Sequence, residues 1–407
     1  MGYFKSVIRG LSWSFTLRFF IRGFTVVRTI VLARILLPAQ FGAYGVASLT
    51  LAILEVFTET GINVFLIQER KLEPHLNTAW SVSIIRGLVI GAVMFFASPI
   101  IATFFRSPSS LILIQLIALV AIVRGFINPS IVKFQKDLQF HKEFIFRGVI
   151  LAAEAVIAIS LAIILRSPIS LAISLLISAF FEVVLSLYFI LPRPKLIFNK
   201  KEIHLIVQRG KWVTAAGIFN YLYHNADNIV VGRMLGVTSL GLYDTAYKIS
   251  GLPVTELAEV FSKVTFPVFA QIKGDKVRLW QSFIKSTLAL SAIVVPFGIF
   301  LFFFPQIIVF LLGPNWAPAI PALRLLSIYG VIRSISGFSS ALFLAVNKAN
   351  FVTYVTLASI LGLTVSIYPL VSRLGLVGAA LSVIIGSLTA LPVVIYYTYK
   401  IFNNLSS

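Results

Sequence analysis

The stretch RILLPAQFGAYGVA at positions 34–47 returns 199 residues later as RMLGVTSLGLYDTA at 233–246, and the reading of this pair decides the architecture. Arg34/Arg233, Leu36/Leu235, Gly42/Gly241, Tyr44/Tyr243 and Ala47/Ala246 are identical in register, and Trp13/Trp212 and Ile30/Ile229 carry the match upstream. Downstream, after a five-residue shift, Glu55-Val56-Phe57-Thr58 is echoed by Glu259-Val260-Phe261-Ser262, and Arg124 corresponds in a similar way to Arg333. Polar and glycine identities held across a turn mark a duplicated unit rather than a chance match of apolar residues.

Each copy is composed for lipid. Of 407 residues, 58% are hydrophobic and 12% charged, and the mean hydropathy is +0.97, a balance that water-soluble domains do not have. A helix of about 20 apolar residues crosses a hydrocarbon core of about 30 Å. Twelve such runs lie near 10–36, 43–68, 79–105, 109–130, 144–165, 169–191, 211–235, 242–270, 282–312, 317–346, 350–372 and 376–400. They are continuously apolar instead of alternating, so helices are expected rather than barrel strands. The first run holds Arg18, Arg22 and Arg28 and ends in no small-residue cleavage pattern, which reads as a retained span. The expected fold class is an all-α integral membrane protein of twelve spans.

Charge sets the expected orientation. Loops on one side carry 21 basic residues, the densest run being Arg193, Lys195, Lys200, Lys201, Arg209 and Lys211, whereas the opposite loops keep Arg106, Arg166 and Arg373. By the positive-inside rule both termini are cytoplasmic, in a multi-pass protein of the cytoplasmic membrane. Six spans separate the paired elements, so both copies enter from the same face and the repeats are parallel. The expected organisation is a six-helix lobe over 1–191, a basic cytoplasmic linker over 192–211 and a second six-helix lobe over 212–407. Two such lobes imply a cleft open to one face and then the other, the usual transporter design.

The net charge of +20 therefore reports topology and attraction to anionic lipid. A nucleic-acid partner would need those bases gathered on one exposed face. The absence of cysteine excludes disulfides, thiolate metal sites and a cysteine nucleophile. Four scattered histidines, without HExxH spacing, give a metal site no support, and no GxxxxGK[ST] run offers an ATP site. No catalytic residue and no cofactor is expected.

Several segments together resemble a known family: RILLPAQFGAYGVA followed by ETGINVFLIQ, then FQKDLQFHKEF, DNIVVGRMLGVTSLGLYDTAYKISGLP, FPVFAQIKGDKVRL and LLGPNWAPAIPALRLLSIYGVIRS. The chain looks like the polysaccharide transport family, the Wzx-like O-antigen, exopolysaccharide and colanic-acid-type flippases of the multidrug/oligosaccharidyl-lipid/polysaccharide exporter superfamily. The resemblance covers residues from about 10 to 350, and the last two helices agree in hydropathy only. It implies two six-helix lobes in a V shape and the flipping of a polyprenyl-pyrophosphate-linked oligosaccharide to the outer leaflet. It also implies glycan polymerase and glycosyltransferase partners. Two further C-terminal helices of some members have no counterpart here.

Arg18, Arg22, Arg28, Arg86, Arg124, Lys248, Arg324 and Arg333 fall within the expected spans. At about 2.5–3.5 kcal/mol each they would cost on the order of 20–28 kcal/mol facing lipid. They are expected to face a hydrated cleft, a partner or the interface. Ser14, Arg18, Arg22, Thr25 and Thr29 form one stripe on the first helix, and Asn220, His224 and Asp227 form another on the seventh. Arg18, Arg22, Arg28, Arg124, Arg333 and Lys248 are candidate substrate-binding residues, because guanidinium pairs with phosphate oxygens in a forked geometry. Asp227, His224, Asn220, Glu55 and Glu259 are candidates for coupling to H+ or Na+. The alternatives are snorkelling of Arg18 and Arg22 to headgroups, and structural pairing of Arg124, Arg324 and Arg333 with Glu154, Glu182, Glu55 or Glu259. Arg28 and Asp227, equivalent in the repeat, read either as an ion pair or as two separate structural roles. Gly87 and Gly91 read as a helix-packing motif.

Two other functions fit the same hydropathy. A cation-coupled drug exporter would place more carboxylates than bases in its spans, and a membrane-embedded glycan polymerase or glycosyltransferase would need a sizeable catalytic loop. Here the intramembrane excess is basic and the loops are short.

Overall fold

The computed structural model describes residues 23–58, 62–69, 72–137 and 139–404, which form helices joined by short turns, with no β-strand among them. Packing divides the chain into two units, Met1–Ala226 and Asp227–Ser407. Arg18 and Arg22 lie outside the described residues.

The first unit contains α1 (23–35), α2 (Pro38–Phe57), α3 (Ile62–Gln68), α4 (Glu73–Phe104), α5 (Ser110–Arg124), α6 (Lys133–Lys136), α7 (Phe140–Leu165), α8 (Ile169–Phe189) and most of α9 (Lys200–Leu235). The quoted repeat falls on a helix break in each copy. Between α1 and α2, Leu37 is extended and Pro38 opens the new helix, since proline restricts the residue before it and suits the first helical turn. After α9 the same place is taken by Gly236 at φ 85°, a left-handed backbone value that glycine adopts without a Cβ clash. Two different residue chemistries thus stop the chain at equivalent positions. In α4, Gly87 and Gly91 let the backbone of α5 approach: a Cβ on Gly87 would stand 2.7 Å from the Ala121 carbonyl oxygen, and one on Gly91 2.9 Å from that of Ala118. The packing role expected of this pair is the one it has.

The second unit continues with α10 (Val237–Ser250), α11 (Leu252–Gln271), α12 (Lys276–Phe303), α13 (Pro305–Leu312), α14 (Ile320–Ala345), α15 (Ala349–Leu374) and α16 (Leu376–Asn404). The Gly251-Leu252-Pro253 punctuation ends α10 and starts α11, whereas Pro296 stays inside continuous α12. Its core is aromatic, with Phe269, Phe283, Phe338, Phe343 and Phe351 buried together.

Eight helices among the described residues are long and apolar enough to cross a membrane, and α5 with the segment Pro129–Lys136 forms a ninth candidate bent by 74°. Phe96, Ile100, Ile164 and Val365 point outward at 71–78% exposure. Apolar side chains bared to that degree along membrane-length helices identify lipid as their solvent. This is a multi-pass membrane protein.

The segment between α8 and α9 is tied to the first unit. Asn128 Nδ2 donates to the carbonyls of Ile190 at 2.8 Å and Pro192 at 3.3 Å, and Ser130 Oγ donates to Pro192 at 2.8 Å. The Lys195 N–H donates to Asn77 Oδ1 at 2.8 Å, and the Ile197 N–H to Ser81 Oγ at 3.1 Å. From Lys200 onward the chain is helical, in one 36-residue helix that runs through to Leu235.

Candidate functional site

Two clusters of polar side chains are built from the helices named above, one in each unit. In the first unit α1, α2, α4, α5, α7 and α8 contribute. Arg28 Nη2 pairs with Glu154 Oε1 at 2.9 Å, with the two side chains only 15% and 13% exposed. Arg124 Nη1 lies 3.9 Å from Glu55 Oε1, and these side chains are more open, at 35% and 38%. Arg86 caps the end of α2, donating from Nη2 to the Glu55 carbonyl at 2.7 Å and from Nε to Thr58 Oγ1 at 3.2 Å. Glu182 is within electrostatic reach of Arg124, Arg147 and Glu154. The result is a group of two arginines and three carboxylates, Arg28, Glu154, Glu182, Arg124 and Glu55, across the helices, in which Glu154 and Glu182 are neighbouring like charges. The Nε groups of Arg28 and Arg124 are buried with no hydrogen-bond acceptor among the described residues.

The second unit uses phenols. Arg333 Nη1 on α14 donates to the hydroxyls of Tyr247 at 2.7 Å and Tyr329 at 2.5 Å, and its Cζ stands 5.6 Å from the Tyr329 ring centroid. A cation over an aromatic face is favoured by the ring quadrupole. Beside it Asp227, 2% exposed, accepts from the Tyr243 hydroxyl at 2.9 Å and from the Asn228 N–H at 2.8 Å. The Asp227 carboxylate feels the charge of Arg333. Asn228 Oδ1 is buried next to that carboxylate and has no donor among the described residues. Three tyrosines therefore stand with one cation and one carboxylate in a single group, in which Asp227, Tyr243 and Tyr329 are buried and Tyr247 and Arg333 half-buried.

The remaining expected residues fall apart from these clusters. Lys248 pairs with Asp244 at 2.5 Å and Glu259 with Lys263 at 2.8 Å, each within one helix turn. The stripe on α9 is not one surface: Asn220 is exposed, His224 half-buried beside Tyr223, and Asp227 buried. Arg28 and Asp227 hold separate roles, Arg28 with Glu154 and Asp227 with Tyr243. Tyr243, Tyr247 and Tyr329 are the residues that sequence reading missed. One signal for them was present, because Tyr243 is an identity of the repeat with Tyr44.

The polysaccharide biosynthesis protein family matches residues 31–321. The chain is 28% identical to the lipopolysaccharide biosynthesis protein WzxC of Escherichia coli, over 85% of this chain and 71% of that protein. It is 26% identical to the succinoglycan biosynthesis transport protein ExoT of Rhizobium meliloti, over 82% and 68%. It is 23% identical to the teichuronic acid biosynthesis protein TuaB of Bacillus subtilis, over 86% and 73%. Among solved structures, an inward-facing multidrug resistance MATE transporter of the MOP superfamily matches with TM-score 0.71 at 14% identity, covering 94% of both chains. The lipid II flippase MurJ matches with TM-score 0.71 at 16% identity, covering 97% of this chain and 89% of MurJ. The fold is that of the MOP superfamily.

Proposed function

This chain belongs to the polysaccharide biosynthesis protein family, and from that premise we propose that it flips a polyprenyl-pyrophosphate-linked oligosaccharide across the cytoplasmic membrane by alternating access. The observation that carries the reading is the breadth of the match. Relatives named for making or transporting lipopolysaccharide, succinoglycan and teichuronic acid align along 82–86% of the chain. The protein is then a transporter rather than an enzyme. Glycosyltransferases supply its substrate and a polymerase receives it.

In this reading the chain makes twelve spans, with both termini and the 192–211 linker cytoplasmic and with lobes 1–191 and 212–407. Arg18, Arg22, Arg124 and Arg333 attract the pyrophosphate, since arginine recognises phosphate through paired N–H donors. Support comes from Arg124, which is partly open and whose Nε has no acceptor among the described residues. Arg28 and Lys248, each in a close carboxylate pair, serve structure. Asp227 is the coupling group for H+ or Na+, and Asn228 Oδ1 beside it, without a donor among the described residues, adds a second oxygen for a cation. A drug exporter of the same fold is the competing reading, because MATE and MurJ match equally well by TM-score.

Deleting the gene in its host is expected to abolish a surface polysaccharide and to leave lipid-linked oligosaccharide in the inner leaflet. Intact surface glycan together with raised drug sensitivity would overturn the assignment in favour of the exporter. Reporter fusions after Gly210 and at the C terminus are expected to read as cytoplasmic.

A further inference from the structure

A groove of about 710 Å³ opens in the first unit where α6, α7 and the end of α8 meet. Neither polar cluster uses it. Its wall is apolar, with Ile145 and Val149 of α7 facing Leu185 and Phe189 of α8. Its mouth, at the turn from α6 to α7, is polar and carries Lys133, Asp137, Gln139 and Lys142. Asp137, Gln139 and Lys142 belong to the FQKDLQFHKEF segment of the sequence, to which the transport reading assigns no task.

The charges at the mouth do not cancel. Glu143, the nearest other carboxylate in sequence, is buried and satisfied by Arg147 Nε at 2.9 Å and Gln135 Nε2 at 3.0 Å. Lys136 points elsewhere, donating to the Glu69 carbonyl at 2.6 Å. Arg193 donates to the carbonyl of Leu187 at 2.9 Å. Among the described residues neither Lys133 nor Lys142 forms an ion pair, and the exposed Asp137 is the single carboxylate lining the groove. One surplus positive charge therefore stands over a slot with lipid-facing walls, since Ile145 and Phe189 are 60% and 69% exposed.

We propose that this groove binds an anionic phospholipid, with its phosphate between Lys133 and Lys142 and one acyl chain along Ile145, Val149, Leu185 and Phe189. The volume is in the range of about 300–1,000 Å³ typical of sites for a single small molecule. A zwitterionic lipid satisfies the walls equally well and leaves the surplus charge unmatched. Basic pockets between transmembrane helices select acidic headgroups for that reason. The site is distinct from the arginines assigned to the transported pyrophosphate, so it stands or falls apart from the flippase reading.

The test is native mass spectrometry of the purified full chain, titrated with phosphatidylglycerol and with phosphatidylcholine of the same acyl chains. Phosphatidylglycerol is expected to bind at least tenfold more tightly. With each lysine contributing about fivefold, Lys133→Gln with Lys142→Gln lowers that affinity roughly 25-fold, to the level of phosphatidylcholine. Asp137→Asn raises it. Lys273→Gln with Lys348→Gln, which removes two exposed charges of the second unit that do not line the groove, leaves it unchanged. Equal affinity for the two lipids overturns the proposal, and so does an equal loss in both double variants. If the Lys133/Lys142 variant fails to fold, Val149→Trp fills the slot with both lysines intact. Loss of phosphatidylglycerol binding in that variant supports the site, and retention overturns it.

Discussion

The two units solve one problem, a charge inside a membrane, with different chemistry. The first matches arginine with carboxylate, in the pairs Arg28–Glu154 and Arg124–Glu55. The second surrounds Arg333 and Asp227 with the hydroxyls of Tyr243, Tyr247 and Tyr329. A carboxylate cancels a cation, whereas a phenol solvates it and leaves its charge in place. Positions that the repeat makes equivalent thus have different partners: Arg28 pairs with a carboxylate, whereas its counterpart Asp227 accepts from a phenol and a backbone N–H.

The largest expected effect breaks the Arg28–Glu154 pair. Removing one member of a buried ion pair leaves the other uncompensated and costs about 3–5 kcal/mol, and Arg28 and Glu154 are shielded enough for that range to apply. Glu154→Ala is expected to lower the thermal midpoint in detergent and the amount of protein in membranes. Exchanging the pair, Arg28→Glu with Glu154→Arg, should recover most of both. If Glu154→Ala is as stable as the parent, the first unit does not depend on charge cancellation and the contrast between the units fails.

Next in size is the phenol shell. Hydrogen bonds to charged groups contribute about 1.5–3 kcal/mol. Tyr243→Phe takes the hydroxyl donor from Asp227, and Tyr247→Phe takes one of the two acceptors from Arg333 Nη1. Each is expected to destabilise by that amount and to lower glycan export. Asp227→Asn, which keeps the shape and removes the charge, is expected to remain abundant and to abolish dependence of export on the ion gradient. Normal gradient dependence in that variant would sink the coupling role.

How much of this was legible in sequence follows from what each residue type reveals by itself. Arginines inside apolar runs are conspicuous, so Arg28, Arg124 and Arg333 were found without structure. Glu55 stood among the candidate partners of Arg124, but Glu154 was weighed only for Arg124, Arg324 and Arg333, and Arg28 only against Asp227, so the Arg28–Glu154 pair was not foreseen. The tyrosines were not found, because a tyrosine in an apolar helix reads as core, and only its neighbour in space turns the hydroxyl into a ligand for charge. The stripe on α9 has the expected spacing but not uniform surroundings. Burial changes along the helix from exposed Asn220 to buried Asp227, which joins the cluster through Tyr243. The helix break of the repeat was visible because Pro38 and Gly236 act on the backbone locally. The hold of Asn77, Ser81, Asn128 and Ser130 on the linker depends on contacts distant in sequence, and no pattern announced it.

A smaller effect on stability separates Arg124 from Arg28. At 3.9 Å, with both side chains about a third exposed, the Arg124–Glu55 pair is expected to contribute about 0–1 kcal/mol. Arg124→Ala should therefore leave abundance and thermal midpoint nearly unchanged while reducing export. A large drop in stability would place Arg124 with Arg28 as a structural cation, and normal export would remove it from the substrate path.

The smallest effect is expected at Glu259, the repeat counterpart of Glu55. Glu55 meets an arginine from another helix, but Glu259 meets Lys263 one turn along its own helix, at 2.8 Å with the side chains 47% and 44% exposed. Pairs of this i,i+4 kind contribute about 0.3–0.5 kcal/mol, because water screens both charges and two long side chains lose freedom in meeting. Glu259→Gln is therefore expected to shift the thermal midpoint within measurement error and to leave export intact. Glu55→Gln should impair export by releasing Arg124 from its carboxylate. The two substitutions remove the same charge from equivalent places in the repeat, so any difference between them reflects the surroundings alone. Loss of export in Glu259→Gln with unchanged stability would show that the second unit also uses a carboxylate at this position, and the division of labour between the units would have to be abandoned there.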